Sequence, residues 1–432
     1  MWLNYKIYTL GCKVNEYESE VMASILDNHG YKKSEKPDVA IINTCTVTNT
    51  ADSKSRKLIR KVRKEYPEAI IVAAGCMIQN KKDEKIDADI LIGNKHKSEI
   101  MSYLNDYKRE KIFDVDDMNN ASFENMKLNN FDLTRAYIKI QDGCDNYCSF
   151  CIIPYVRGHV RCKKKADVLS EAKDLVKNGH KEIVLTGIHT GNYHDDNYDF
   201  ADLLSDLVKI DGLKRLRISS VEITELNDKV LNIIKNSNVL VDHMHIPLQS
   251  GSDRILKIMN RKYDKDYFIN KINKIRSIRP NISITTDVIV GFPSETDEEF
   301  LETIDTIKKV NFSKLHVFPY SDRDGTVASK MKDKINGLVK KERTKILINI
   351  SKELEENYMK KYLGKELTFI PEVYENGYLT GHTGNYLLIK AKCDEKLVGK
   401  EVKIIMKKIQ YPYIISEISV KWYWLVFILV LD

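Results

Sequence analysis

Short apolar runs alternate with stretches in which apolar residues return every third or fourth position, and the alternation starts near the first residue. Runs at 7–10, 39–42 and 70–74 read as strands, and the stretches 16–29 and 52–66 between them read as helices. Strand, helix, strand in this order predicts a parallel sheet covered by helices, because parallel neighbours need a long crossover. From 114 to 133 the periodicity dissolves into DVDDMNNASFENMKLNNFDL. Such an Asp- and Asn-rich stretch predicts a linker over 116–133, closing a first domain at 1–115.

The alternation then resumes. Strands are predicted at 136–140, 182–186, 216–219, 243–247, 282–290 and 315–318, with helices at 167–178, 225–235, 267–278 and 297–309. Intervals of roughly 30 to 45 residues suit repeated βα units. Six units predict an incomplete (β/α) barrel, although the pattern alone leaves eight open. A charged helix over 338–362, stopped by Gly364, ends a central domain at 134–362. Over 363–419 short strands broken by Gly and Asn predict a small β-barrel. The class is α/β with a small all-β unit behind it. The remainder, 420–432, contains ten uninterrupted apolar residues from Trp422 to Leu431, short of the about 20 that a bilayer span needs. A last strand, a dock onto another domain or an irregular tail is expected there, not an anchor.

Composition narrows the class without choosing a function. The chain has 432 residues, 43% hydrophobic and 30% charged, which suits a soluble protein of two or three domains. The net charge of +7 suits a polyanionic partner, and its placement says more. Residues 54–64 carry Lys54, Arg56, Lys57, Arg60, Lys61, Arg63 and Lys64 with no acid, leaving Leu58, Ile59 and Val62 for the core. A solvated helix face usually mixes both signs. This stripe therefore predicts RNA phosphate contact, through Lys57, Arg60, Lys61 and Lys64 in particular. Eight cysteines are too few for a disulfide scaffold and MWLNYKIYTL lacks the long apolar core of a signal peptide, so a reducing cytoplasm is expected.

Six of the cysteines carry the candidate chemistry. Cys144, Cys148 and Cys151 stand in CxxxCxxC spacing within KIQDGCDNYCSFCIIPYVRG. A [4Fe-4S] cube held by three thiolates keeps one iron open, whereas structural zinc wants four closed ligands and no fourth Cys or His stands at finger spacing. The following VRGHVRCKKK has no acid; it suits a substrate backbone or the tuning of a cluster, and Arg157 and Arg161 are its RNA candidates. Cys12, Cys45 and Cys76 each follow a predicted strand, 33 and 31 residues apart. Strand carboxyl ends in an open α/β sheet line one crevice, so topology brings these three together as candidates for a second cluster. Any one alone reads as an ordinary buried cysteine.

The CxxxCxxC spacing with Phe150 before the third cysteine resembles the signature of the radical S-adenosylmethionine (SAM) superfamily. TLGCKVNEYESE, INTCTVT and AAGCMIQ resemble the N-terminal domain of its methylthiotransferases, and LGCKVN, with Lys13 and Val14, is most similar to the bacterial branch acting on threonylcarbamoyladenosine in tRNA. The resemblance implies two [4Fe-4S] clusters, on Cys144, Cys148 and Cys151 and on Cys12, Cys45 and Cys76. It implies SAM chelated to the open iron and cleaved to a 5′-deoxyadenosyl radical, with a second SAM as methyl source. By likeness, Phe150 lies at the cofactor, Thr186 and Gly187 hold the amino end of SAM, Glu222 and Gln249 lie near its ribose or methionine, and Gly291 lies near the adenine. Turn, cap and core roles are the plain alternatives for these positions.

Residues 363–419 resemble the TRAM domain, an RNA-binding barrel, in which Tyr374, Tyr378 and Tyr386 stack on bases or pack a core. The implied reaction is methylthiolation of C2 of N6-threonylcarbamoyladenosine at position 37 of tRNA. The implied partners are a tRNA anticodon stem-loop and an electron donor such as flavodoxin or ferredoxin, with no membrane and a monomeric chain. Sister substrates, isopentenyladenosine in tRNA or an aspartate of a ribosomal protein, are the nearer alternatives. A non-catalytic, RNA-binding iron–sulfur redox sensor is the remote one.

Overall fold

The structure is a computed structural model and describes residues 3–81 and 85–419; the apolar stretch 420–432 lies outside the described residues. The first unit is a six-stranded parallel sheet, ordered Lys32–Lys33, Asn4–Thr9, Val39–Thr44, Ile70–Gly75, Ile90–Ile92, Ile112–Asp114. Its central strand Val39–Thr44 is buried at every position, as a parallel strand covered on both faces must be. Ile41 and Val72 pack on one face with Met22 and Leu26 of the helix Lys13–Asn28. Ile42 and Ile71 pack on the other with Ile59 and Val62 of the helix Asn49–Glu65. Thr48 caps that second helix by accepting from the Ala51 amide at 3.1 Å.

Six further strands run parallel in sequence order: Arg135–Lys139, Glu182–Thr186 and Arg215–Ile218, then His243–His245, Ser283–Val290 and Lys314–Pro319. The two sets of three meet through a parallel bridge between Leu216 and Leu240. This is the expected partial (β/α) barrel. Helix Lys13–Asn28 reaches across from the first unit, placing Tyr17 and Val21 in the barrel's own core beside Ala136 and Ile138. Each such side chain contributes about 1.5–3 kcal/mol by burial.

Residues 116–133 are not a loose tether. Met118, Met126, Leu128 and Phe131 are buried, the last three in the barrel core, and the Tyr17 hydroxyl donates to the Met126 carbonyl at 2.8 Å. Asn- and Asp-rich sequence without periodicity here makes an ordered strap.

The helix Gly337–Lys360 leads into a closed five-stranded barrel built from Glu366–Glu375, Tyr378–Thr383, Leu388–Lys392, Tyr413–Ile418 and Val402–Gln410. It docks under the amino ends of the large barrel's strands. Arg135 donates to Glu372 at 3.0 Å, Arg215 to the His382 carbonyl at 3.2 Å, and the Tyr358 hydroxyl to the Asn281 carbonyl at 3.0 Å. Tyr386 is sandwiched between His243 and His382, with ring centroids 4.5 and 4.4 Å away and the Arg217 guanidinium 4.8 Å from its own. Of the three tyrosines, this one is spent on the domain joint and not on bases.

Candidate active site

The CxxxCxxC loop lies at the carboxyl end of the large barrel, between Arg135–Lys139, the short strand Gln141–Asp142 and the helix Ile153–Arg157. Gly143 starts it with φ +72°, and a Cβ there would strike the His159 carbonyl; glycine alone lets the loop fold back on itself. The Cys144 amide donates to the Gly158 carbonyl at 3.0 Å and the Cys151 amide to the Cys148 carbonyl at 2.9 Å. The thiols end within electrostatic reach of each other: burial, then negative charge on Cys148 and Cys144, pushes Cys151 up to about 12.

Two enclosed cations flank the trio. Arg261 Nη1 donates to Cys148 Sγ at 3.2 Å, its Nη2 pairs with Glu222, and its Nε reaches the Tyr263 hydroxyl at 3.1 Å. Burial raises the Cys148 thiol while Arg261 pulls it back down. On the other side His189 Nδ1 lies 3.9 Å from Cys144 Sγ and Nε2 pairs with Glu225. Burial opposes charge on this ring, but the bonds to Cys144 and Glu225 prevail and push it up to about 10. Cations beside sulfur favour thiolate over thiol.

The early trio is assembled by topology. Thr9 stands opposite Asn43 and Thr44 opposite Gly75, so the three strands finish side by side and Cys12, Cys45 and Cys76 follow at one edge. Asn15 ties the ends together, donating to the Leu10 carbonyl at 2.7 Å and the Thr44 carbonyl at 2.9 Å. Gly11, at φ +105°, passes so close to Cys45 that an added Cβ would sit 2.9 Å from Cys45 Cβ and 3.0 Å from its Sγ. Cys45 and Cys76 are buried, while Cys12 opens onto the crevice though set deep among protein atoms. Burial pushes Cys45 up to about 11, and charge on Cys76 and Cys12 adds to it.

The segments that carry the two trios touch. Cys76 packs against Ile152 and Val156, just beyond Cys151, and Asn94 bridges the units by donating to Cys76 Sγ at 3.5 Å and to the Val156 carbonyl at 2.8 Å. Arg323, 4% exposed, donates to Thr46 at 2.6 Å and Asn49 at 2.6 Å, latching the segment after Cys45 onto the loop after the last barrel strand. Between latch and cysteine loop lies a cavity of about 230 Å³, lined by Val47 and Thr48 from the first unit and by Phe150, Cys151, Gln249 and Asp287 from the barrel.

Under the crevice lies a fully enclosed charge network. Glu18 accepts from Lys139 at 2.7 Å and Arg157 at 3.0 Å and pairs with Lys97; Asp142 accepts from Lys139 at 2.7 Å and Arg157 at 3.0 Å. Burial opposes the Glu18 and Asp142 charges, but the surrounding cations hold both carboxyls well below the usual range. Here the sequence reading needs correction: Arg157 is 0% exposed and cannot touch RNA. Arg161, its side chain 11% exposed, is spent on Asp142 at 3.4 Å and on the Arg157 and His159 carbonyls. Both cations stand in an acid-free run, but their acids come from Asp142 and from a helix far earlier in the chain.

The residues assigned to SAM fall in different places. Phe150 and Gln249 line the cavity. Thr186 and Gly187 end the second barrel strand, where Gln141 joins them to the cysteine loop by accepting from the His189 amide at 2.7 Å and donating to the Gly143 carbonyl at 2.6 Å. Glu222 is one side chain removed from Cys148, through Arg261. Gly291, at φ +68°, lies off the cavity lining, and the space a Cβ would need is filled by Lys340. Pattern reading missed Arg261, Asn94, Arg323 and the Glu18 network. Only Glu18 left a signal, a carboxylate among Val14, Tyr17, Val21 and Met22 on the apolar face of its helix.

Comparison with known proteins agrees with this geometry. Residues 138–307 match the radical SAM superfamily, and 4–93 match a family described as uncharacterized protein family UPF0004. The threonylcarbamoyladenosine tRNA methylthiotransferase MtaB of Bacillus subtilis is 43% identical over 94% of this chain and 94% of its own length. The chain belongs to the radical SAM methylthiotransferase family. The MtaB protein of Aquifex aeolicus is 38% identical over 92% of this chain and 98% of its own, and the tRNA-2-methylthio-N(6)-dimethylallyladenosine synthase of Carboxydothermus hydrogenoformans 35% over 93% and 96%. The fold is shared with the radical SAM methyltransferase TsrM of Kitasatospora setae, at 14% identity and TM-score 0.54 over 74% of this chain and 75% of that one. A radical SAM methylthiotransferase uses a [4Fe-4S] cluster and SAM.

Proposed function

We propose that this methylthiotransferase modifies C2 of N6-threonylcarbamoyladenosine beside the anticodon of tRNA, with one [4Fe-4S] cluster on Cys144, Cys148 and Cys151, a second on Cys12, Cys45 and Cys76, and two SAM molecules consumed. The observation that carries it is the packing of Cys76 on the segment just beyond Cys151, beside a cavity lined from both units, in a chain whose relatives of highest identity above carry that activity in their names. The donor sets fit the groups: three cysteines apiece, with cations beside the sulfurs.

When bound, the clusters and SAM supply the radical and sulfur chemistry that a C–H bond of a purine requires; the protein positions and shields. Arg261 and His189 hold two sulfurs of the barrel trio, Asn94 and the Asn15 tie hold the early one, and the Arg323 latch closes the space between. Phe150, Phe318 and Val47 give the cavity an apolar wall.

The choice of the threonylcarbamoyl base rests on the two MtaB relatives, which are more identical to this chain than the dimethylallyladenosine synthase is. The anticodon loop is single-stranded, so its base can be splayed into the cavity at small cost. A one-electron donor of the flavodoxin or ferredoxin kind completes the reading, in the cytoplasm, where tRNA is; no helix among the described residues is long and apolar enough to cross a membrane.

The test is mass spectrometry after incubating reconstituted protein and SAM with tRNA bearing either modified adenosine, or with ribosomal protein. A gain of one methylthio group on the threonylcarbamoyl tRNA is expected; gain only on another substrate contradicts the assignment.

Two lesser predictions follow from the same geometry. Lys54, Lys57, Arg60, Lys61 and Lys64 are all exposed on the helix Asn49–Glu65, whereas Arg63 is paired to Asp89 at 2.7 Å. Lys57→Glu with Lys61→Glu should weaken tRNA binding and flatten its salt dependence, by about 0.7 to 0.9 in log–log slope per lost phosphate contact, with SAM cleavage unchanged. Gly11→Ala should displace Cys45 and reduce iron after anaerobic reconstitution, while circular dichroism stays as in the parent.

A further inference from the structure

Arg157 differs from the other members of the enclosed network in having an unused donor. Nη1 donates to Glu18 and Asp142 and Nη2 to Asn15 Oδ1 at 2.9 Å, while Nε, equally buried, meets no acceptor. A buried N–H without a partner is costly, because the hydrogen bond it gave up to water is not replaced. An arginine this costly points to an acceptor that protein atoms do not provide.

Its surroundings say which. Asn15, bonded to Arg157, holds the ends of the strands that lead to Cys12 and Cys45. Val156, the preceding residue, packs on Cys76, whose sulfur Asn94 already approaches from another side. Arg157 lies within electrostatic reach of Cys76, as it does of Asp142 and Glu18. The network has three enclosed cations, Lys97, Lys139 and Arg157, against two carboxylates, Glu18 and Asp142. That cationic surplus matches the net negative charge of a [4Fe-4S] cluster with three thiolates.

We propose that Arg157 is a positioning residue for the cluster on Cys12, Cys45 and Cys76: its Nε donates to a sulfur there, and its charge raises that cluster's reduction potential. The inference rests on the two-cluster reading. Hydrogen bonds to sulfur and net charge are the protein's levers on such potentials. The barrel trio has its own donors, Arg261 and His189, so the effect is confined to one cluster.

The test uses full-length protein labelled with ¹⁵N-arginine, with Cys144, Cys148 and Cys151 replaced by alanine so that one cluster remains. After anaerobic reconstitution and reduction, pulsed EPR should show a ¹⁵N coupling on the cluster signal, absent in Arg157→Lys. Arg157→Gln should shift the oxidised-to-reduced ratio at fixed potential at least tenfold toward oxidised, about 59 mV for a one-electron couple, with iron content kept. In chains lacking Cys12, Cys45 and Cys76 the same substitution should leave the other cluster's midpoint unmoved. A cluster without ¹⁵N coupling overturns the role of Arg157 and leaves two clusters standing; no cluster at all in the first background overturns both. Should the variants fail to load iron, the coupling in the labelled parent decides alone.

Discussion

Replacing Cys12, Cys45 and Cys76 together by alanine should leave a chain that still converts SAM to 5′-deoxyadenosine but makes no methylthiolated adenosine. The barrel trio meets the early one only through the packing of Cys76 on Ile152 and Val156. Its loop is closed by Gly143, by amide bonds within 144–158, and by Arg261 and His189, all from the barrel. The early trio contributes no side chain to those contacts, so SAM cleavage should survive within a few-fold. Cys144→Ala, Cys148→Ala and Cys151→Ala together should abolish both products. Chromatography of nucleosides and of the SAM fragments reads the two outcomes in one reaction. Methylthio product from the first variant would remove the early trio from the chemistry.

The largest stability effect is expected from Glu18→Ala. Glu18 is the one carboxylate touching Lys97, Lys139 and Arg157, all fully enclosed, and it joins the first unit to the barrel. Breaking a buried pair by removing one partner costs about 3–5 kcal/mol, because the other charge stays buried, and here three cations lose the same anion. Denaturant unfolding should show at least that loss, with both units affected.

The pH dependence has a definite sign. Cations hold the folded-state pKa of Glu18 below its value in the unfolded chain. Its stabilisation is therefore complete above about pH 4.3 and is lost as pH falls toward the folded-state value. Glu18→Ala should lack that part of the parent's acid sensitivity, measured on protein without clusters.

How much could be read in advance varied with the distance over which each feature is determined. Val39 to Ile42 are all apolar because helices cover both faces of this strand, and that pattern is local. Ile90–Ile92 and Ile112–Asp114 escape notice, since three residues carry no period; only their neighbours in the sheet make them strands. The cysteine trio at 144–151 is a spacing and is legible by itself. The trio at 12, 45 and 76 needs the sheet order, and a reading of strand ends supplies it.

Arg157 and Arg161 were misread for the opposite reason. Charge along the chain says nothing of a carboxylate 139 residues away, yet Glu18 turns Arg157 from a surface cation into an interior one. The helix Asn49–Glu65 keeps its stripe because its unpaired cations point away from the sheet. The strap over 116–133 was likewise hidden: Met126, Leu128 and Phe131 are too sparse to show a period, but each meets the barrel core.

One measurement bears most directly on the claim that two separate sulfur grips face a common cavity: iron and acid-labile sulfide per chain after anaerobic reconstitution. About eight irons are expected in the parent and about four in each single-trio variant, the content of one cube. Four in the parent, unchanged when Cys12, Cys45 and Cys76 are removed, would contradict it.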